Sequence, residues 1–301
     1  MAVHLALIVV QILFASLAIA GRYVLREFPA GALVLFRVVG AAIVLLLVNA
    51  IAGGHPIRNR RHVADLALLG LLGVAANQGL YVYGLRHTTA INATILVTTV
   101  PVFTVLWSVL AGREKASPLK IGGIALAGAG VIYLIGPDRL SMAHDVALGN
   151  AMIVIGMACY AGYFVLSKRI VALYHPRTVT TYAMVFGAIA TLPFGVPAAL
   201  TLHPSAIHAL TWVWVAYIVI FPTIVTYLLN IWALARVSSS TVAAYVYLQP
   251  FFAAAVAPLV LAGESVGLRT LIAGVTIFVG LGLILWAERR QRVADVWPHP
   301  A

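Results

Sequence analysis

The chain has 301 residues, of which 63% are hydrophobic and only 9% are charged, and its mean hydropathy is +1.04. A soluble domain of this length needs far more charge to cover its surface, so the composition excludes that class of protein. The formal net charge of +11 comes from residues scattered between apolar runs. The basic residues therefore indicate how the chain is oriented in a membrane, and we expect no nucleic-acid partner.

Apolar segments follow one another along the whole chain, and most are long enough to cross a hydrocarbon core of about 30 Å. They are 3–22, 30–52, 63–84, 90–111, 118–136, 148–168, 178–200, 208–233, 240–262 and 267–287. They predict an all-α membrane protein with ten transmembrane helices in a lipid bilayer. The single cysteine, Cys159, lies inside an apolar run, which excludes an internal disulfide and a multi-cysteine metal site.

The stretch from Tyr83 to Glu114 returns at Trp232 to Glu264, with Pro101 aligned on Pro250. Each half then holds five segments, an odd number, so the two copies run through the membrane in opposite directions. The sequence therefore predicts two inverted five-helix repeats, 1–140 and 141–301, an arrangement typical of transporters. Most lysines and arginines fall in loops on the side of the amino terminus, which predicts that both termini are cytoplasmic.

Polar residues inside the apolar segments fall on shared helix faces. Asn77, Gln78 and Tyr81 follow the spacing i, i+1, i+4, and their counterparts 149 residues later include Tyr227 and Asn230. Buried polar groups are costly in a bilayer, so their convergence predicts a cavity that binds a solute. The competing interpretation is that these groups only hydrogen-bond neighbouring helices.

The candidate substrate-binding residues come from six of the predicted helices. They are Gln11, Asn77, Gln78, Tyr81, Thr98, Tyr160, Tyr163, Tyr227, Asn230, Tyr245 and Gln249. Pro101 and Pro250 are predicted to bend their helices beside this cavity, because proline removes a backbone donor.

Arg37 is the ionisable residue placed clearly inside a predicted span. It is a candidate contact for a substrate carboxylate. The alternative is that its side chain extends outward to the membrane interface.

Residue types and motifs that are missing from the apolar segments also restrict the possible functions. Acidic residues and histidines fall in loops or near segment ends, so no proton-carrying group is evident in the pathway. Facilitated movement or exchange is therefore favoured over carboxylate-based proton coupling. No phosphate-binding loop, zinc motif or paired-carboxylate constellation occurs. We expect no catalytic residue, metal or cofactor.

The ordered series of motifs resembles the drug/metabolite transporter superfamily, in its ten-helix EamA-type branch. The residues that carry the resemblance are FRVVGAAIVLL at 36–46, LLGLLGVAANQGLYVYGLRHTTAINATILVTTVPVFTVLWSVLAGRE at 68–114, the glycine-rich segment 118–136, and the second copy through Pro250 and Glu264. The resemblance implies a bacterial inner-membrane exporter with a cavity that faces one side at a time, and the chain is similar to (aromatic) amino acid exporters. It also implies that Pro101, Pro250, Glu114 and Glu264 are shared structural positions.

The predicted function is export of a small neutral or zwitterionic metabolite, with amino acids favoured, by a monomer or homodimer. Two alternatives stay open. A carrier of anionic substrates, such as nucleotide sugars or sugar phosphates, should place several basic residues in the cavity. A membrane-embedded transferase should show a reactive constellation near an interface.

Overall fold

The structure is a computed structural model that describes residues 1–54, 56–88, 90–135, 144–252 and 268–296. Glu264 and the last part of the predicted segment 240–262 lie outside the described residues. Regular structure in the described ranges is helical, with no strand. The helices are α1 (Ala2–Val24), α2 (Ala30–Ile51), α3 (Arg60–Gly70), α4 (Asn77–His87), α5 (Ala90–Val97), α6 (Val100–Leu110), α7 (Pro118–Ile135), α8 (His144–Val171), α9 (Pro176–Leu200), α10 (Ala209–Val219), α11 (Thr226–Leu234), α12 (Ser239–Ala244) and α13 (Leu268–Val296).

In the part of the chain that the structure describes, six helical stretches are long and apolar enough to cross a membrane. They are Ala30–Ile51, Arg60–His87, Val146–Val171, Pro176–Leu200, Ala209–Leu234 and Leu271–Arg290. Shorter apolar helices cover Ala2–Leu17, Ile95–Leu110 and Pro118–Tyr133. The all-α membrane prediction is thus confirmed for the described part of the chain, whereas ten crossings stay a prediction.

The helix ends gather at two opposite ends of the bundle. At the amino-terminal end, His4 at the start of α1 contacts Tyr245 just after α12. At the far end, Glu27 after α1 pairs with His208 before α10, Nδ1 to Oε1 at 2.8 Å. These two contacts mark the opposite ends of the bundle.

Each proline of the repeated stretch follows an interruption of the α-helix. Helix α5 ends at Val97 and α6 begins at Val100, with Pro101 in its first turn. In the second copy α12 passes into the 3-10 turn Tyr245–Tyr247 before Pro250. The proline ring clashes with the carbonyl of residue i−4, which accounts for an interruption just before it. The bend at Pro101 and Pro250 stays a prediction.

Two π-helical segments interrupt the long stretches at equivalent places. Leu71–Ala76 joins α3 to α4, and Ile220–Val225 joins α10 to α11, 149 residues later. In each segment, the backbone N–H of the next residue does not bond the carbonyl four residues earlier, as it would in an α-helix. After the first segment, the N–H of Asn77 bonds to the carbonyls of Leu72 and Val74 and not to that of Gly73. π-helical turns are often found at functional sites.

The second bypassed carbonyl belongs to Pro222. The N–H of Thr226 bonds to the carbonyls of Phe221 and Thr223. Gly73 and Pro222 therefore stand at the same position of the two copies, each with a carbonyl oxygen left for other donors.

Helices α7 and α13 pack closely through glycines, because residues without a side chain let two helices approach each other. A Cβ on Gly123 would stand 2.8 Å from the Gly280 carbonyl oxygen, and one on Gly280 would stand 2.6 Å from the Ala127 nitrogen. Gly122 lies on the exposed side of α7, with no atom within 4 Å of an added Cβ. The two helices form a rigid pair beside the central bundle.

Two carboxylates hold the start of α12 at the amino-terminal end. Glu114 accepts from the Ser240 backbone N–H at 3.3 Å, from its hydroxyl, and from Lys120 Nζ at 2.9 Å. Glu288 accepts from the Ser238 N–H at 3.1 Å and hydroxyl at 2.7 Å. We call these five residues the amino-terminal latch. It joins parts of both halves of the chain at this end of the bundle.

Candidate functional site

A cavity lies in the interior between the two π-helical segments and the helix breaks. It encloses about 560 Å³ of empty space, including its mouth. Its walls are formed by Phe14, Leu17, Arg37, Asn77, Gln78, Tyr81, Val97, Val100, Met157, Tyr160, Tyr227, Val246 and Gln249. Seven of the predicted residues therefore line one space: the amides Asn77, Gln78 and Gln249, the phenols Tyr81, Tyr160 and Tyr227, and Arg37.

Arg37 is buried in this wall, with 5% of its surface exposed. Its Nε donates to Thr223 Oγ1 at 2.6 Å, and its Nη2 donates to the Pro222 carbonyl at 3.1 Å. The guanidinium is thus held by the oxygen that the second π-helical segment leaves available. This inward position excludes the alternative in which the side chain reaches the membrane interface.

Arg37 has no carboxylate partner among the described residues. The ion pairs of the described residues join Lys120 to Glu114 and His208 to Glu27, at the two ends of the bundle. A buried cation is costly unless it is paired, and Arg37 meets only neutral oxygens in the described protein. The cavity therefore presents one positive charge that an anionic group can neutralise.

Gln78, Tyr227 and Gly73 form a hydrogen-bond chain across the cavity wall. Tyr227 Oη donates to the Gly73 carbonyl at 2.6 Å, since a carbonyl can only accept. The same Oη must then accept from Gln78 Nε2, at 3.1 Å. This order places Gln78 Oε1 on the other side of the amide, where it has no partner in the described protein.

Tyrosine rings from α8 and α11 form a cluster along one side of the cavity. Tyr160 stacks on Tyr163 at 5.8 Å between ring centroids, and Tyr227 lies 6.3 Å from Tyr160. Asn230 Nδ2 donates to Tyr160 Oη at 3.1 Å and so orients that ring from behind. The cluster offers a rigid aromatic face to a solute.

The remaining amides are held at the walls. Asn77 Nδ2 donates to the Gly156 carbonyl at 3.1 Å, which joins α4 to α8. Gln249 Nε2 donates to Gln11 Oε1 at 2.7 Å, which joins the second broken helix to α1. These contacts use part of the capacity of each amide and leave the rest for a solute or for water.

The structure places other predicted residues behind the cavity wall or away from it. Gln11, Tyr163 and Asn230 support residues that line the cavity. Thr98 Oγ1 donates to the Ile95 carbonyl at 2.6 Å, an oxygen that also accepts from the backbone N–H of Thr98 at 2.9 Å. Tyr245 faces His4, with Oη 2.6 Å from Nδ1, at the amino-terminal end. These five are not among the residues that form the cavity surface.

Sequence reasoning missed the apolar part of the lining. Phe14, Leu17, Met157 and Val246 face the cavity, but nothing distinguishes them from the many other apolar residues of their helices. It also missed Pro222, for which a signal existed: a proline inside a span, at the position equivalent to Gly73. Such a residue indicates a local departure from α-helical hydrogen bonding.

A second, smaller cavity adjoins the first toward the far end of the bundle, and we call it the vestibule. Its empty space, with the open mouth included, is about 400 Å³, and it shares three wall residues with the central cavity: Leu17, Arg37 and Tyr81. Its other walls are Gly21, Leu25, Leu33, Val34, Val82, Leu85 and Ile218, all without a polar side chain.

The chemistry available to this site is binding by hydrogen bonds, aromatic faces and one cation. Over the described ranges, no three His, Cys, Asp or Glu side chains come close enough together to hold a metal ion. The arrangement can surround a small organic molecule that carries one negative group.

Comparison with known proteins agrees with this architecture. Residues 1–136 and 147–286 match the EamA-like transporter family. An uncharacterised transporter from Archaeoglobus fulgidus is 31% identical over 223 residues, which cover 72% of this chain and 74% of the relative. A probable terminal-alkyne amino-acid exporter from Streptantibioticus cattleyicolor is 30% identical over 90% of this chain and 91% of its own.

A solved crystal structure with 18% sequence identity superposes with a TM-score of 0.78 and covers 96% of this chain and 98% of the other. That likeness shows a shared fold. The two matched halves of the family, the curated relatives and the helical architecture lead to one conclusion: the chain belongs to the EamA-like transporter family and is a membrane transporter.

Proposed function

We propose that this transporter exports a small neutral or zwitterionic metabolite, with amino acids as the favoured class, by alternating access. In this proposal ten helices cross the membrane as two inverted repeats, 1–140 and 141–301. The central cavity lies between them and binds the substrate. The two π-helical segments at equivalent positions support the repeat relationship.

The observation that carries the proposal is the buried Arg37 guanidinium in the cavity wall without a carboxylate partner in the described protein. A single cation matches a single carboxylate. The aromatic rings Tyr81, Tyr160 and Tyr227 supply faces for the rest of the molecule, including an ammonium group. The relative from Streptantibioticus cattleyicolor is named a probable amino-acid exporter, which supports the same class.

A nucleotide sugar or sugar phosphate is a poorer match. Such substrates carry two or more negative charges, whereas Arg37 is the one Lys or Arg among the residues that line the central cavity. A transferase is disfavoured because the described cavity wall lacks a cysteine, histidine or carboxylate that could act as nucleophile or base.

The same lining favours facilitated transport or exchange. Proton-coupled carriers place a group in the pathway that takes up and releases a proton. The walls of the central cavity hold only amides, phenols, apolar groups and an arginine, which stays protonated. The excess of basic residues in the loops on the same side of the membrane as the amino terminus supports cytoplasmic termini. In this proposal the protein lies in a bacterial inner membrane as a monomer or homodimer.

Reconstitution into proteoliposomes tests the function. We expect vesicles that contain unlabelled L-leucine to accumulate external radiolabelled L-leucine by exchange, with no requirement for a pH gradient. Competition by a panel of amino acids, sugar phosphates and nucleotide sugars ranks the substrate classes. Gln249→Ala and Tyr81→Ala should each slow the exchange, because both side chains line the cavity.

Three outcomes contradict the proposal in different ways. Strict dependence on an imposed proton gradient would exclude facilitated exchange. Competition by sugar phosphates but not by amino acids would favour the anionic class. Unchanged transport by both variants would show that these polar groups only pack helices together.

A further inference from the structure

The vestibule differs in chemistry from the cavity that it adjoins. Its walls beyond Arg37 and Tyr81 are aliphatic: leucines, valines, an isoleucine and Gly21. Burial of hydrocarbon in the vestibule is therefore favourable, whereas a charged or amide group of the solute would lose its hydrogen bonds to water there.

Gly21 marks the open space of this vestibule. It lies buried on α1, yet a Cβ built on it would meet no atom of the described part of the chain within 4 Å. In a close-packed interior an added Cβ normally touches neighbours, as it would at Gly73 and Gly84, where the nearest atoms are 2.3 and 2.8 Å away. The space beside Gly21 is therefore part of the cavity system and is not filled by a neighbouring helix.

Arg37 stands at the junction of the two spaces and lines both. A solute whose carboxylate binds the guanidinium can thus direct another of its groups toward the vestibule. The rigid walls around this junction restrict what that group can be: Val34 and Ile218 are fully buried, and Leu33 and Val82 are nearly so.

We propose that the vestibule is a subsite for the aliphatic side chain of the substrate, and that Gly21 determines the largest side chain it accepts. This inference rests on the proposed function, because it takes Arg37 as the contact for the substrate carboxylate. It narrows the substrate class to amino acids with an aliphatic side chain of about the size of leucine. Glycine and alanine are then weaker substrates, since they leave the vestibule unfilled.

The test replaces Gly21 by a side chain that fills the space. Full-length wild-type protein, Gly21→Ala and Gly21→Leu are reconstituted, and exchange is measured with radiolabelled L-leucine and with radiolabelled L-alanine. Gly122→Leu is the matched control, because this helical glycine also has no atom within 4 Å of an added Cβ but lies on the exposed side of α7. Size-exclusion chromatography in detergent confirms that each variant is folded.

We expect Gly21→Leu to raise the KM for leucine on the order of tenfold, because filling an apolar pocket by a few methylenes discriminates by about this factor. The KM for alanine should change less than about threefold, and Gly21→Ala should fall between the two proteins. Gly122→Leu should match the wild type for both substrates.

Results against the subsite differ from a result against the proposed function. Equal slowing of leucine and alanine exchange by Gly21→Leu would show that the vestibule is only a route for passage, and an unchanged KM for both would show that it binds nothing; either overturns the subsite. A wild-type protein that exchanges neither amino acid refutes the proposed function itself, whatever the Gly21 variants do.

Discussion

Gln78 Nε2 donates a hydrogen bond to Tyr227 Oη over 3.1 Å, and these two residues occupy the same position in the two halves of the chain, 149 residues apart. Side chains at equivalent positions of a repeated unit touch each other only close to the axis that relates the copies. The central cavity, which both residues line, therefore lies where a two-fold relation between the halves would place a substrate site.

The two carbonyls that the π-helical segments leave without a helical hydrogen bond each accept one from the other half of the chain. Gly73 in the first half accepts from Tyr227 of the second, and Pro222 in the second accepts from Arg37 of the first. A backbone oxygen freed from its helix thus orients a cavity side chain of the opposite half. The site is in this way assembled from both copies.

A double-mutant cycle on Gln78 and Tyr227 should show that their contributions to the free energy of unfolding are coupled. We expect Gln78→Leu and Tyr227→Phe each to lower the free energy of unfolding, and the double variant to lose less than the sum, with a coupling of about 0.5–1 kcal/mol. Thermal or denaturant unfolding in detergent measures the cycle. Strictly additive losses would contradict a direct hydrogen bond between the two side chains.

Charge at Arg37 should govern recognition of the substrate carboxylate. We expect Arg37→Gln to raise the KM for an exchanged amino acid by about tenfold or more, since hydrogen bonds to charged groups contribute about 1.5–3 kcal/mol. Arg37→Lys keeps the charge but loses the forked contact with Thr223 and Pro222, so it should recover only part of the affinity. Competition with the corresponding amine, which lacks the carboxylate, is the decisive comparison.

Wild-type protein should discriminate against that amine, and Arg37→Gln should not. Equal discrimination by both proteins would remove Arg37 from the carboxylate site. Gln249→Ala provides the control for a cavity change that leaves the charge in place.

The amino-terminal latch should weaken in acid. Burial opposes ionisation of Glu114, but the Lys120 ammonium and the hydrogen bonds from Ser240 outweigh it and hold the pKa of this carboxyl below its ordinary value of 4.5. A lowered pKa contributes stability at pH values above the ordinary one, and that contribution is lost as the pH falls through the lowered pKa. The latch is therefore intact at neutral pH.

Melting temperatures between about pH 3 and about pH 7 test this, with Glu114→Gln as the variant. We expect the variant to melt below the wild type at neutral pH and the difference to shrink as the pH falls. Asp65→Asn is the control, because this carboxyl lies in α3 at the same end of the bundle but is not one of the latch residues. A difference between Glu114→Gln and wild type that stays constant with pH would exclude the carboxylate as the source.

Adjacent glycines on α7 should respond in opposite ways to the same substitution. Gly123→Ala places a Cβ 2.8 Å from the Gly280 carbonyl, so we expect a loss of about 1–3 kcal/mol in the free energy of unfolding. Gly122→Ala adds a methyl group on the open side of the helix and should be neutral or stabilising by up to about 1 kcal/mol. Similar losses for both would show that α7 and α13 do not depend on this close approach.

Much of this architecture could be predicted from the sequence, because the relevant interactions are local. Apolar runs of spanning length fix where helices form, and the spacing of Asn77, Gln78 and Tyr81 on one turn puts them on one face whatever the helix packs against. The alignment of Pro101 with Pro250 identified the repeat. These features depend on backbone geometry and on the bilayer as solvent, both of which act on a few consecutive residues at a time.

The tertiary structure alone decided which polar residues meet. Thr98 and Tyr245 lie on helices whose polar residues predict the cavity, yet Thr98 bonds the Ile95 carbonyl and Tyr245 contacts His4. The sequence is equally compatible with an outward path for Arg37, and only the tertiary structure places the Pro222 carbonyl beside its guanidinium. Such outcomes depend on the rotation and register of helices that are more than a hundred residues apart in the chain. Hydrophobic patterning leaves those variables free, and close packing of the bundle determines them.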